Sequence, residues 1–166
     1  MRTLSTILLP LLLGCAAKDT DGDAVSCSIS GLSGMANATI DGQAWAGNGG
    51  TWREAGRAIQ IDIESVIDLT ITLRGTKDSN GDSVAERVSD GSLPVTIDLS
   101  GADGHGGVRD QRNGLDSYAT NQPGGSGTFS ILEVSGNTLS ACFEFDAVSS
   151  GGVIMQVRDG KVKIDG

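Results

Sequence analysis

Apolar and polar residues alternate along much of this chain after residue 35. Ile59, Ile61 and Ile63 are separated by Gln60 and Asp62, and Leu69, Ile71 and Leu73 by Thr70 and Thr72. Val95, Ile97 and Leu99 alternate with Thr96 and Asp98, and Leu139, Ala141, Phe143 and Phe145 with Ser140, Cys142 and Glu144. A period of two belongs to a strand with one face buried and one face wet. Further strands fit residues 35–41, 128–134, 152–158 and 161–164. Ser135-Gly136-Asn137 and Asp159-Gly160 stand between such runs as hairpin loops would. Helical periodicity nowhere exceeds about ten residues, and 83–88 has room for a single turn. About seven to nine short strands joined by tight turns predict an all-β antiparallel meander, closed as a small barrel or a sandwich. Two Gly/Asp-rich stretches, 75–92 and 100–127, interrupt the meander as long loops, where function concentrates.

The first residues follow another pattern. Arg2 precedes an apolar stretch from Leu4 to Leu13, shorter than the roughly 20 residues a membrane-spanning helix needs. A basic start, a short apolar run and a small residue before a cut site mark an export signal. The stretch ends in Leu12-Leu13-Gly14-Cys15, which resembles the lipobox of bacterial lipoproteins. That resemblance implies that residues 1–14 are a cleaved signal peptide and that Cys15 carries acyl chains such as palmitate. Several chains together hold a protein durably at a membrane. Ala16, rather than Asp, follows the cysteine, which by the sorting rule of such lipoproteins directs the protein to the outer membrane. Residues 15–34 are then the acylated cysteine and a tether, small, polar and Gly/Ser/Asp-rich, with too little apolar surface to offset the entropy of ordering. Residues 35–166 form one domain, long enough for a core of its own.

Charge narrows the partners. The chain has 21 acidic and 12 basic residues, a net charge of -9 that becomes -10 once Arg2 leaves with the signal. Phosphate backbones repel such a chain, so nucleic acid is excluded as a partner, and contact with a membrane is expected only through the N-terminal lipid. With Cys15 acylated, Cys27 and Cys142 remain, and in an oxidising compartment an even remainder implies a disulfide. It would close a loop of about 115 residues, worth roughly 4–5 kcal/mol in the chain-entropy treatment. Because Phe143 and Phe145 face the core in the alternating run, Cys142 faces outward, and the bond would strap the tether end across the outside of the sheet.

The stretch Ala36-Asn37-Ala38-Thr39-Ile40-Asp41-Gly42-Gln43-Ala44-Trp45 resembles the opening "A-x-I-D-G-x-x-W" of a family of small, uncharacterised bacterial lipoproteins. The family also has a Gly-Ser-Gly-Thr strand, a "G-x-F-x-F-x-A" strand and a terminal "G-x-x-x-I" hairpin. These correspond here to Gly125-Ser126-Gly127-Thr128, Ala141-Cys142-Phe143-Glu144-Phe145-Asp146-Ala147 and Gly160-Lys161-Val162-Lys163-Ile164, with Ala141 in place of the usual Gly. The resemblance implies an all-β lipoprotein domain. Its motifs are a turn, a buried Trp and paired Phe, so it transfers no catalytic residue.

Candidate chemistry is sparse. His105 is the only histidine, and no Gly-x-Ser-x-Gly elbow accompanies it, so a catalytic base there has no marked nucleophile. One His and two paired cysteines do not make a zinc site. Carboxylate pairs such as Asp62 with Glu64, or Asp98 with Asp103, are not singled out among 21 acidic residues. The better signal is Asp78-Ser79-Asn80-Gly81-Asp82-Ser83-Val84-Ala85-Glu86, where Asp78, Asn80, Asp82 and Glu86 offer oxygen ligands for calcium around a glycine turn. Its glycine and glutamate come earlier than in an EF-hand, and a polar hairpin loop explains the same run. Asp19-Thr20-Asp21-Gly22-Asp23 in the tether has a similar composition and reads as a solvated spacer. Trp45 fits a core position, whereas Trp52 suits a core or a ligand-holding barrel mouth equally.

The expectation is a non-enzymatic binding module of the cell envelope, for an apolar or amphipathic small molecule held inside the barrel. The alternative is a structural or adhesive module contacting another envelope protein, with calcium-stabilised loops, and a hydrolase ranks below both. Replacing Cys15 with Ser should move the protein from the membrane pellet to the soluble fraction after cell fractionation. Continued pelleting of the variant would overturn the lipid-anchor reading.

Overall fold

The architecture is that of a computed structural model, which describes residues 27–30, 32, 35–74, 81–112 and 116–166. The expected leader 1–14, Cys15 and residues 16–26 lie outside the described residues. Eleven strands and one short helix follow in order: β1 Ala36–Ile40, β2 Gln43–Gly47, β3 Gly49–Ala55, β4 Ala58–Glu64, β5 Ile67–Leu73, α1 Val84–Ser89, β6 Val95–Asp98, β7 Gly104–Asp110, β8 Asp116–Ala119, β9 Ser126–Ser135, β10 Thr138–Ser149 and β11 Ile154–Asp165. All the strands join one antiparallel sheet, nine of them in the order β2-β1-β11-β10-β8-β7-β5-β4-β3, and this sheet curls into a nearly closed barrel. The open choice between barrel and sandwich is thereby decided.

The alternating residues point inward as their period requires. Ile59, Ile61, Ile63, Leu69, Ile71 and Leu73 are at most 1% exposed, and each such side chain contributes roughly 1.5–3 kcal/mol on full burial. Opposite them, Phe129 stacks on Phe143 and Phe143 on Phe145, with ring centroids 6.1 and 6.2 Å apart. The sheet forks beside β10, which pairs with β9 over most of its length and with β8 only at Val148 and Ser149. Buried Thr120 fills the fork: its Oγ1 accepts the Gly106 N–H at 2.9 Å and donates to the Leu99 carbonyl.

Closure depends on a corner. A single residue, Asn48, separates β2 from β3, yet β2 pairs with β1 and β3 with β4. One run of chain therefore supplies both ends of the strand order. The bend has no room for side chains: a Cβ on Gly47 would lie 2.4 Å from Ile63 Cγ2, and one on Gly50 would lie 2.2 Å from the Asp62 carbonyl. Each tryptophan stitches one side of the seam. The Trp45 indole N–H donates to the Ile67 carbonyl at 3.1 Å, and that of Trp52 to the Asn137 carbonyl at 2.8 Å.

Three expectations change. Asp159-Gly160 is not a hairpin loop, because β11 runs straight through it as one strand. Three steps of β11 from Val157 to Gly160 face two steps of β10 from Phe143 to Phe145, a bulge with Asp159 at φ 52°. The stretch 75–92 is not all loop, since it contains α1, with Ser83 as its N-cap. The stretch 100–127 is likewise not a loop, because β7 and β8 lie within it. The inward positions of β7 are Gly104, Gly106, Val108 and Asp110, so only one of them carries an apolar side chain. The expected hairpin at Gly136-Asn137 holds, joining β9 to β10. Asp41 and Gly42, a turn in the motif of the family resemblance, join β1 to β2 with φ of 48° and 78°, as a type I′ turn requires.

The bulge has a packing cause. A Cβ on Gly160 would lie 2.3 Å from the Phe143 ring and 2.6 Å from its carbonyl, and one on Gly127 would lie 2.2 Å from Phe145 Cβ. Gly160→Ala should therefore overpack the wall and cost about 1–3 kcal/mol, seen as a lower urea midpoint with an unchanged slope. An unchanged midpoint would contradict the close approach.

Candidate functional surfaces

The first place to look in a small barrel is its interior, and this one is occupied. Phe129, Phe145, Leu99, Ile131, Leu139 and Ile164, together with the Ile and Leu residues of β4 and β5, are fully buried around the axis. Both tryptophans belong to this core, each 8% exposed, which resolves Trp52 as a core residue rather than part of a ligand rim.

Concave surface is found outside. Cys27 is bonded to Cys142 on β10, with Cα atoms 6.4 Å apart. Cys142 lies outside the core cluster that contains Phe143 and Phe145, so the strap crosses the outer face as the alternation implied. On that face the outward residues Ser130 and Ser140 are each 3% exposed and Cys142 6%. Beside it opens a cleft of about 350 Å³ lined by Ser28, Thr128, Ser130, Glu144, Asp159 and Lys161. A second hollow of about 500 Å³, lined by Asn37, Thr39, Ala44 and Ala46, shares Asp159 and Lys161 with the first. Asp159 in the bulge of β11 and Lys161 just beyond it thus stand between two basins, the first lined by the hydroxyls of Ser28, Thr128 and Ser130, the second largely by alanine with Asn37 and Thr39.

His105 lies on β7 rather than in a loop, half-buried opposite Thr72. Its Nδ1 is buried and has no hydrogen-bond partner among the described residues. Burial, with the nearby Arg74 charge, holds the imidazole below its ordinary pKa. At the barrel end formed by the β4–β5 and β7–β8 connections, the Arg112 guanidinium grips Asp110 through both carboxylate oxygens. Those hydrogen bonds hold the Asp110 carboxyl below the usual range. Burial and neighbouring carboxylates push the Tyr118 phenol up.

Of the calcium candidates, Asp78 and Asn80 lie outside the described residues. Glu86 has a structural partner: its carboxylate accepts the Ser83 N–H at 2.7 Å, while Ser83 Oγ accepts the Glu86 N–H at 3.3 Å. This is a capping box at the start of α1. Its signal, Ser-x-x-Glu, stood in the sequence inside the run read for calcium. Among the described residues no group of three or more His, Cys, Asp or Glu is placed to hold a metal ion, and no helix is long and apolar enough to cross a membrane. The outer cleft was missed because its lining residues come from three strands, the bulge and the strap, and no local motif joins them.

As the chain's only histidine, His105 gives a clean titration. Its folded pKa lies below the ordinary 6.5, so between those values the unfolded chain binds the extra proton and acid favours unfolding. Stability should fall as pH drops below about 6.5, and His105→Gln should remove that part of the slope. NMR of the imidazole should show it titrating below 6.5; a value at or above it would contradict burial as the cause. No family model, no curated protein and no solved structure matches this chain.

Proposed function

We propose that the protein is a lipid-anchored module of the cell envelope that acts by non-enzymatic binding, through the outside of its barrel rather than an enclosed ligand. The observation that carries this reading is the interior: the axis is filled by the protein's own fully buried Phe, Ile and Leu side chains. A carrier for an apolar molecule needs a space of ligand size, and these side chains occupy the place where it would be. The hydroxyl-lined cleft of Ser28, Thr128 and Ser130, beside the charges of Asp159 and Lys161, supports contact with a polar partner at the outer wall. The export signal and the Leu12-Leu13-Gly14-Cys15 run support the anchor and an outer-membrane site. We place the chain with the small lipoproteins that open on A-x-I-D-G-x-x-W. The features of that motif have structural roles here, as strand β1, the Asp41-Gly42 turn and the buried Trp45.

Native mass spectrometry of residues 16–166, exported to a periplasm and purified without chelator, tests the proposal. The expected species is the bare polypeptide lacking two hydrogens, as the disulfide requires. A stoichiometric extra mass of lipid size would overturn the external reading in favour of a carrier. A calcium-sized increment would support the adhesive alternative with ligands in the 78–86 run.

A further inference from the structure

We infer that the Cys27–Cys142 disulfide sets how far the barrel can stand from the membrane. The inference rests on the reading of Cys15 as the lipid anchor. Apart from the disulfide, the first backbone hydrogen bond that ties the N-terminal segment to the barrel among the described residues is at Met35, whose carbonyl accepts the Lys163 N–H at 2.8 Å. With it, the tie comes at Cys27. An extended chain spans at most about 3.5 Å per residue, so the 20 residues from Cys15 to Met35 reach no further than ~70 Å. The 12 residues from Cys15 to Cys27 reach no further than ~42 Å. These limits hold whatever path the segment takes. Residues 28–34 are enclosed between the disulfide and the barrel and add nothing to the reach.

The attachment point also has a direction. Cys142 sits on the outer face of β10, so the leash pulls on the β9–β10–β11 wall. In the strand order, β4 lies on the far side of the barrel from β10, with β3 and β5 beside it. Outward residues of β4, β5 and β7 align across the sheet in two rows, Gln60–Thr72–His105 and Asp62–Thr70–Gly107. This wall carries a hydrogen-bonded row in which Arg53 donates to Gln60 at 2.8 Å and Gln60 to Asp62 at 2.9 Å. The exposed Val66, Val153 and Ile154 lie on the connections at one end of the barrel or at a strand's first residue, not on this wall.

The test uses the full acylated chain in phosphatidylethanolamine/phosphatidylglycerol vesicles. A fluorophore is placed at residue 70 through a non-natural side chain, so that the cysteines stay paired, and energy transfer to a headgroup acceptor reports height. Ten Gly/Ser residues inserted after Asp21 add up to ~35 Å of leash and should lower the transfer. The same insert after Ser33 should leave transfer at the wild-type value. In a Cys27→Ser, Cys142→Ser variant both inserts should lower it. Both insertion proteins keep the disulfide, so the comparison does not depend on the double variant folding. Equal losses from the two inserts in disulfide-bonded protein would overturn the inference. A chain that fails to float with the vesicles at all overturns the anchor reading, and this inference with it, and is a separate result.

Discussion

The wall of this barrel is organised by phenylalanine set against glycine. Phe143 on β10 pairs with Gly160 on β11, and Phe145 pairs with Gly127 on β9. At both positions a side chain on the glycine would occupy the space of the ring or its backbone. A large ring laid over a bare backbone lets neighbouring strands stay in register while the ring fills the space near the axis. The bulge in β11 belongs to the same arrangement, since the extra residue falls between the partners of Phe143 and Phe145. Gly106 on β7 continues it across the barrel, where a Cβ would sit 3.3 Å from the Phe145 ring. Three aromatic rings thus take the volume that a larger barrel would leave to a ligand.

A filled interior leaves the outside to make contacts, and the two faces of the sheet divide the chemistry sharply. The inward set is mainly Ile, Leu, Val and Phe, with several alanines, the two tryptophans and Met155. Most charged and hydroxyl side chains lie outward, with Asp110 and Thr120 among the buried exceptions, and net acidity favours solubility. The disulfide lays Cys27 against the outer face of β10. Ser130 and Ser140 are outward polar residues that would ordinarily be wet, and they are covered. Ser130 keeps a partner there, its hydroxyl 2.8 Å from that of Thr96, so covering this part of the wall does not leave that polar group unsatisfied.

The parts of this fold legible in the sequence are those where the inward residue of each pair is large and apolar. Strands β4, β5, β6 and β10 show their period because Ile, Leu, Val or Phe stands at the inward positions. Strand β7 hides its period because glycines stand where Phe145 and Thr120 need room, so a pattern based on side chains reads it as loop. The same blindness covers β2 and β3, where two tryptophans and a glycine corner replace alternation. Asp159-Gly160 carries the composition of a hairpin turn, and only pairing with both β1 and β10 makes it a bulge. The outward orientation of Cys142 was legible, since it follows from the phase of its neighbours. The cleft beside it was not, because the residues that line it are far apart in sequence.

The corner at Asn48 gives the molecule a property beyond its shape. An open sheet has two terminal strands whose unpaired amides can recruit another chain. Here both terminal positions of the strand order belong to one bent stretch of backbone, and each half is engaged across the seam. Beyond the two indole bonds, the Asn48 N–H reaches the Glu64 carbonyl and Ser65 reaches that of Ala46. The seam contacts that close the barrel therefore also cap its edges. Where copies of the chain are crowded together, that arrangement guards against strand-to-strand association between molecules.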